Sequence, residues 1–279
     1  GRVRFMKLKY LGTAAAEGYP AMFCDCENCR KAFKNKGKNI RSRSQAIIDN
    51  SLLIDFPCDT YYHCAINNIN LHDIRNCLIT HVHRDHLYPV DFLYFKNGFS
   101  HPAPDFKLNL FGSEDVEKIL ADYPEAIYKY LNFVKIKPFE PFSVGKYTVT
   151  ALKAYHGTDN PYIYAVSDGQ KSILYAHDTD IFREETWEYM KANNMHFDLV
   201  SMDCTEGAYE ELDYHGHMCL GRNIKCRDRM LSENLINEKT TVVLNHFSHN
   251  GISSNYDEFA PLVAKDGFVT SFDGMEIEV

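Results

Sequence analysis

The sequence predicts an α/β fold of two packed β-sheets with helices outside. Strand-like segments fall in two blocks, and helix-patterned segments follow each block. Two dipeptides of hairpin type, Asp49-Asn50 and Asp168-Gly169, punctuate those blocks. Metal-binding residue types stand directly after several apolar strands, where a layered α/β fold delivers functional groups to one edge. With 279 residues, 45% of them hydrophobic, the chain is long enough to bury a sizeable core.

Residues 7–11 alternate as a first strand, and 44–48 with 52–55 flank the Asp49-Asn50 turn as a hairpin. Residues 76–80 form a short, buried strand that ends at His81. The stretch 92–146 is aromatic and irregular and is expected to be an insertion walling the active-site cleft. It holds one helix, 113–122, which Ser113 can cap and whose N-terminal dipole Glu114 and Asp115 favour. A second strand block covers 147–154, 162–167 and 172–176. Helices are predicted at 183–193, 221–235 and 255–264, and strands at 199–202 and 241–245 alternate with them. No repeat, low-complexity tract or linker interrupts the sequence, so residues 1–279 read as a single domain.

Charge narrows the partners. Thirty Lys and Arg against 38 Asp and Glu give a net charge of −8, and the one basic stretch, KAFKNKGKNIRSR, is too short to track a phosphate backbone. Extended nucleic acid is therefore disfavoured as a partner. No apolar run would span a bilayer, which argues against a membrane partner. The start, GRVRFMKLKYLG, has no apolar signal region, so a cytoplasmic location is expected. A homodimer is compatible with the sequence, which sets no oligomeric state.

Nine cysteines are present, and three crowd into Cys24-Asp25-Cys26-Glu27-Asn28-Cys29, too close to bridge one another without strain. Three thiolates want a fourth ligand to close a tetrahedral zinc site, and His249 is the candidate. A redox cluster is the alternative. Cys58, Cys64, Cys77, Cys204, Cys219 and Cys226 are single and read as core filler.

The strongest chemical signal is Thr80-His81-Val82-His83-Arg84-Asp85-His86. Residues two apart at a strand end point the same way, so His81 and His83 can converge on one cation, while Asp85 and His86 can grip a second. Imidazole and carboxylate pack poorly but suit zinc or manganese; the bland reading is a His-rich surface loop. His156, Asp178 and His246 each follow an apolar strand and could complete a two-metal site. Each alone would pass for an ordinary strand-end residue. His177 reads as structural or as a support for the neighbouring ligand Asp178, and His63, His72, His101 and His196 as ordinary.

Taken together, the His-x-His-x-Asp-His run, Asp55 upstream, and His156, Asp178 and His246 downstream resemble the five motifs of the metallo-β-lactamase superfamily. The resemblance implies an αββα sandwich of two mixed β-sheets flanked by helices. It implies that His81, His83 and His156 hold one divalent metal, that Asp85, His86 and His246 hold another, and that Asp178 bridges the pair. Asp55 would hydrogen-bond a ligand or the ligand-bearing loop. Leu11-Gly12-Thr13, the cysteine cluster, Arg41-Ser42-Arg43-Ser44 and the ending Ser271-Phe272-Asp273-Gly274-Met275-Glu276 look like the PhnP-like phosphodiesterase branch. In that branch the second His of a His-x-x-His pair completes a structural zinc site, which matches His246 and His249 here. A His followed by Met acts there as general acid, which matches His217, with Asp203 placed to orient it.

The expected function is hydrolysis of a small, cyclic phosphodiester through a hydroxide shared by two divalent ions, Zn or Mn, beside one structural Zn. The lack of an extended basic face argues for a small substrate, for which a cyclic nucleotide or cyclic sugar phosphate is the better fit. Hydrolysis of a β-lactam or thioester, a PqqB-like role in cofactor biosynthesis, and a binding protein whose metals only hold the fold are the other readings.

Overall fold

The structure is a computed structural model that describes residues 5–279; residues 1–4, the first part of the basic start, lie outside the described residues. In chain order its elements are β1 (Lys7–Gly12), α1 (Glu27–Asn35), β2 (Gln45–Ile48), β3 (Leu52–Ile54), α2 (Thr60–Ile66), β4 (Asn76–Leu78), β5 (Leu108–Gly112), α3 (Glu114–Leu120), β6 (Leu131–Lys135) and β7 (Phe142–Val144). They continue as β8 (Tyr147–Lys153), β9 (Tyr162–Ser167), β10 (Ser172–Ala176), α4 (Glu184–Ala192), β11 (Leu199–Asp203), α5 (Leu220–Ser232), β12 (Thr241–Asn245), α6 (Tyr256–Ala264), β13 (Phe268–Thr270) and β14 (Glu276–Glu278).

Two seven-stranded sheets result, in the orders β14-β1-β2-β3-β4-β5-β6 and β13-β12-β11-β10-β9-β8-β7. Each is mixed. In the first, β3 to β6 run parallel and the other pairings are antiparallel. In the second, β10 to β13 run parallel and β7 to β10 antiparallel. The β2–β3 hairpin turns where expected, with Asp49 and Asn50 both in the left-handed region (φ 50° and 54°). The backbone N–H of Lys7 donates to Asp49 Oδ1 at 2.8 Å and ties the turn to β1.

The central strands, such as β2, β3 and β11, are buried on both faces, and their side chains sort by the period of two. Leu52, Ile54 and Leu78 of the first sheet meet Tyr164, Val166 and Ile173 of the second between the layers. Leu53, Cys77 and Leu110 point outward beneath Val116 and Leu120 of α3. On the other side Leu174, Met202 and Leu244 pack under Trp187 of α4 and Met230 of α5. This is the αββα sandwich of two mixed sheets with helices outside.

Several expectations need correcting. The stretch 92–146, read as irregular, supplies β5 and β6, which complete the first sheet, and β7, the edge strand of the second. Its aromatic flanks hid the short strands. Ser113 stands at the cap position of α3, but its side chain makes no capping bond and its Oγ is buried without a partner. Cys58 is exposed rather than core filler, whereas Cys64, Cys77, Cys204, Cys219 and Cys226 are buried. Helices α1 and α2 and strands β13 and β14 were not read from the sequence. Among the described residues no helix is long and apolar enough to cross a membrane.

Candidate metal centre

The parallel strands of both sheets end at one edge of the sandwich. Asp55 follows β3, the run 80–86 follows β4, and Asp178 and His246 follow β10 and β12. Asp203 is the last residue of β11, and His156 lies shortly beyond β8. Asp55, Asp178 and His246 take positive φ values of 69°, 52° and 65°. A left-handed residue without glycine is costly, and it persists here where the chain must turn sharply off a strand.

The turns bring all seven sequence-predicted ligands together. His83 Nδ1 lies 3.1 Å from His81 Nε2 and 3.1 Å from His156 Nε2. Asp85 Oδ2 lies 3.1 Å from His86 Nε2. Asp178 stands between the two groups, with Oδ2 at 2.5 Å from His86 Nε2, 3.2 Å from His81 Nε2 and 3.3 Å from His246 Nε2, and Oδ1 at 3.9 Å from His156 Nε2. The donor atoms of His81, His83 and His156, and those of Asp85, His86, Asp178 and His246, each lie within 4.8 Å of one another.

The far side of four of the five rings is anchored. His86 Nδ1 pairs with Asp55 Oδ2 at 2.6 Å, His81 Nδ1 with Thr80 Oγ1 at 2.9 Å, His246 Nδ1 with Thr205 Oγ1 at 2.9 Å, and His156 Nδ1 with the carbonyl of Gly216 at 2.9 Å. Asp55 also accepts the backbone N–H of Thr80 at 2.8 Å, so it fixes both a ring and the loop that bears it. Such partners hold the ring and leave the other nitrogen for a metal.

A metal fits these residues. His86 Nε2 and His246 Nε2 are buried with no hydrogen bond of acceptable direction, although carboxylate oxygens lie close by. His83 Nδ1, at 3.1 Å from both His81 Nε2 and His156 Nε2, makes a group of three imidazole nitrogens of the kind that binds a divalent ion.

Electrostatics agree. Burial pushes His81 down to about 3, as for a neutral, ligand-ready imidazole. Burial also opposes charge on His246, yet Asp178 outweighs it and lifts that ring to about 10. His86 is raised well above its ordinary value for the same reason, with Asp85, Asp178 and Asp55 around it overcoming burial. Three carboxylates about one imidazole form a pocket short of positive charge.

Beside this centre His217 Nδ1 lies 2.9 Å from Asp203 Oδ2 and 3.5 Å from Asp178 Oδ1. Asp178, Asp203, His217 and His246 also bring their donor atoms within 4.8 Å of one another. Asp203 is already saturated, however, because it accepts the backbone N–H groups of Thr205 at 3.0 Å, Met218 at 3.1 Å and Thr179 at 3.3 Å. Together with the His217 contact, these bonds occupy its carboxylate oxygens.

At the other end of the 246–249 turn, His249 Nδ1 lies 3.3 Å from Cys24 Sγ and 3.4 Å from Cys26 Sγ. With Cys29 these donors fall within 4.8 Å, a set suited to tetrahedral zinc. Burial opposes the Cys26 thiolate, but His249 and the neighbouring N–H groups draw its thiol down to about 6.

Sequence reasoning missed the supporting shell. Thr80, Thr205 and the Gly216 carbonyl carry no residue-type signal for that role. It also missed Asp180, which holds His215 Nδ1 at 2.7 Å and Arg222 at 3.0 Å. His63, read as ordinary, is fully buried between Gln45 Oε1 at 2.7 Å and Ser42 Oγ at 2.6 Å. His177 is structural as expected, bonded to Ser201 Oγ at 2.5 Å.

A family model described as Anti-Pycsar protein Apyc1 matches residues 32–219, more than half of the chain. A comparison with curated protein sequences finds no match. Among solved structures, a new diphosphatase from the PhnP family is similar at a TM-score of 0.77 and 18% identity, over 99% of this chain and 98% of that one. Zn(2+)-bound PqqB from Methylobacterium extorquens is similar at 0.75 and 16% identity, over 98% and 100%. Unliganded yeast PDE1 is similar at 0.64 and 12% identity, over 99% and 100%. The fold is that of the metallo-β-lactamases, a description also carried by YhfI from Bacillus subtilis at a TM-score of 0.69 and 17% identity, over 99% of this chain and 100% of that one.

Proposed function

The chain belongs to the Anti-Pycsar protein Apyc1 family, and from that premise we propose that it is a metal-dependent hydrolase of phosphodiesters, acting on a small cyclic phosphodiester such as a cyclic nucleotide or cyclic sugar phosphate. His81, His83 and His156 would hold one divalent ion and Asp85, His86 and His246 a second, with Asp178 shared. Nitrogen and carboxylate donors suit zinc or manganese. When bound, such a pair supplies Lewis acidity and makes water nucleophilic near neutral pH.

The chain's own residues do the rest. Asp55 and Thr80 keep His86 and His81 turned inward, and Asp203 holds His217 by Nδ1. Burial disfavours the charged ring of His217, but Asp203 outweighs it and raises the ring above its ordinary value. Asp203 thus favours the protonated ring, whose Nε2 is free to give a proton to the departing oxygen. That pair is the observation that carries the reading, since an alkoxide leaving group needs a proton donor. Cys24, Cys26, Cys29 and His249 would hold a structural zinc apart from the reaction.

The net charge of −8 favours a small substrate over extended nucleic acid. The similarity to a PhnP-family diphosphatase supports chemistry at a phosphoryl group. Nine free cysteines suit a reducing, cytoplasmic setting. The test is turnover by protein reconstituted with Zn or Mn, using a panel of cyclic nucleotides, cyclic sugar phosphates and bis(p-nitrophenyl) phosphate, with a β-lactam and a thioester alongside. Cyclic diesters should be hydrolysed and the acyl substrates not. Asp178→Ala should abolish turnover and deplete the metal pair while the cysteine-bound zinc stays. Acyl turnover without phosphodiester turnover would overturn the reading.

A further inference from the structure

The outer face of the first sheet carries an open cavity of about 780 Å3. Leu53 and Leu108 line it, and Leu53 alternates with Leu52 and Ile54, which face the second sheet. The cavity therefore opens away from the metal centre, and none of the seven candidate metal ligands lines it. Its walls are aromatic. Phe56, Phe92 and Phe106 are 5%, 1% and 3% exposed, with the Phe56 and Phe92 rings 4.8 Å apart, so this part is packed and preformed. Tyr61 and Tyr94 also line it, with rings largely open to solvent.

Asp91 is the one Asp or Glu among the cavity's lining residues, and no Lys or Arg lines it. Its carboxylate is half-buried, and burial raises its carboxyl above the ordinary value with no neighbouring charge or hydrogen bond offsetting it. Arg75 lies 4.6 Å over the Phe106 ring but does not relieve Asp91. His72 is already used, with Nε2 accepting the backbone N–H of Ala103 at 3.0 Å and its ring stacked on Phe106.

An apolar ligand would leave this carboxylate unpaired, and an anion would be repelled by it. A cation with an apolar body satisfies both surfaces, because aromatic faces attract positive charge and the rings bury hydrocarbon. We propose that this cavity is a binding site for a small amphipathic amine, its ammonium group paired with Asp91 and its body against the accessible rings of Tyr61 and Tyr94, which stand over the packed phenylalanine floor. The site is separate from the hydrolytic centre.

Titration calorimetry of the metal-loaded protein with phenethylamine, phenethyl alcohol and phenylacetate tests it. The amine should bind one site per chain at least about tenfold more tightly than the alcohol, the margin expected of one partly desolvated charge pair and its cation–π contacts. The acid should not bind. Asp91→Asn should bring the amine down to the affinity of the alcohol, and Asp178→Ala should leave amine binding unchanged. Tyr94→Ala removes an exposed ring and should weaken the amine several-fold, which keeps the test decisive should Asp91→Asn melt early. Equal affinity for amine and alcohol, or amine binding unmoved by both cavity substitutions, would overturn the proposal. So would a dimer, seen by sedimentation, that covers this face and takes up no amine.

Discussion

At His217 the two ring nitrogens have separate tasks. Nδ1 is committed to Asp203 at 2.9 Å, so any proton delivered to a leaving group comes from Nε2. His217→Ala should keep the metal content. It should slow a poor-leaving-group cyclic diester by roughly the 10²–10⁴-fold typical of general acid catalysis and slow an aryl diester much less, because a phenolate leaves without help. Equal losses on both substrates would return His217 to a structural role. His63 offers a different prediction. Burial holds its pKa down to about 4 against an ordinary 6.5, so the folded state keeps the ring neutral. The unfolded chain then binds more protons between those values, and stability present above pH 6.5 is lost as pH falls through that window. The full loss is on the order of 3 kcal/mol from this residue. Denaturant melts of the wild type and His63→Gln at pH 7 and near pH 4 should show the variant's profile flatter by about that amount. Parallel profiles would refute it.

Among the elements, α1 shows how a ligand run and a helix overlap. Cys26 is its N-cap, with the side chain accepting the N–H of Cys29 at 3.5 Å, and Asn28 Nδ2 donates to the carbonyls of His249 at 2.9 Å and Gly251 at 3.1 Å. Helix start, proposed zinc site and the turn after β12 are thus one unit. Cys26→Ser keeps a good capping residue, so its effect isolates the metal. It should lose about one zinc per chain and lower the melting temperature, as when binding energy is folding energy; unchanged zinc content and melting would rule the site out. The helix escaped sequence reading because its first residues carried a stronger metal-ligand signal. Helix α5 was legible, yet its entry depends on Gly221, where an added Cβ would sit 1.7 Å from the carbonyl oxygen of Glu210. That approach joins residues eleven apart and has no local signature.

Across the whole molecule the two sheets are held by apolar side chains with a few polar ties. Tyr10 of β1 reaches over to β11, its hydroxyl bonded to Ser201 Oγ at 2.6 Å in the buried layer. Ser201 meets His177 Nε2 at 2.5 Å, next in sequence to Asp178, so the tie lies directly beneath the centre. Tyr10→Phe should cost about 1 kcal/mol, the net worth of one buried hydrogen bond, with the ring still filling its place. Chemical denaturation should show a lowered midpoint with the same slope, and metal content should be unchanged. A drop of several kcal/mol would mean that the hydroxyl is part of a larger network than these contacts indicate.

The residues proposed to hold the metals were readable from the sequence alone, because imidazole, carboxylate and thiolate are poor packing choices and gather after apolar strands. The alternation that sets strand faces and the hairpin turn at Asp49-Asn50 were legible too, since both are local. Tertiary structure decided which donors meet. His83 joins His156 from 73 residues away, and Asp203 finds His217 across 14. The Gly216 carbonyl orients His156, although a backbone oxygen leaves no mark on residue type. The amine cavity belongs to the same class, since Leu53, Asp91 and Phe106 share its wall only after the first sheet has closed. Such contacts depend on register and packing between distant segments, which periodicity along a chain does not encode.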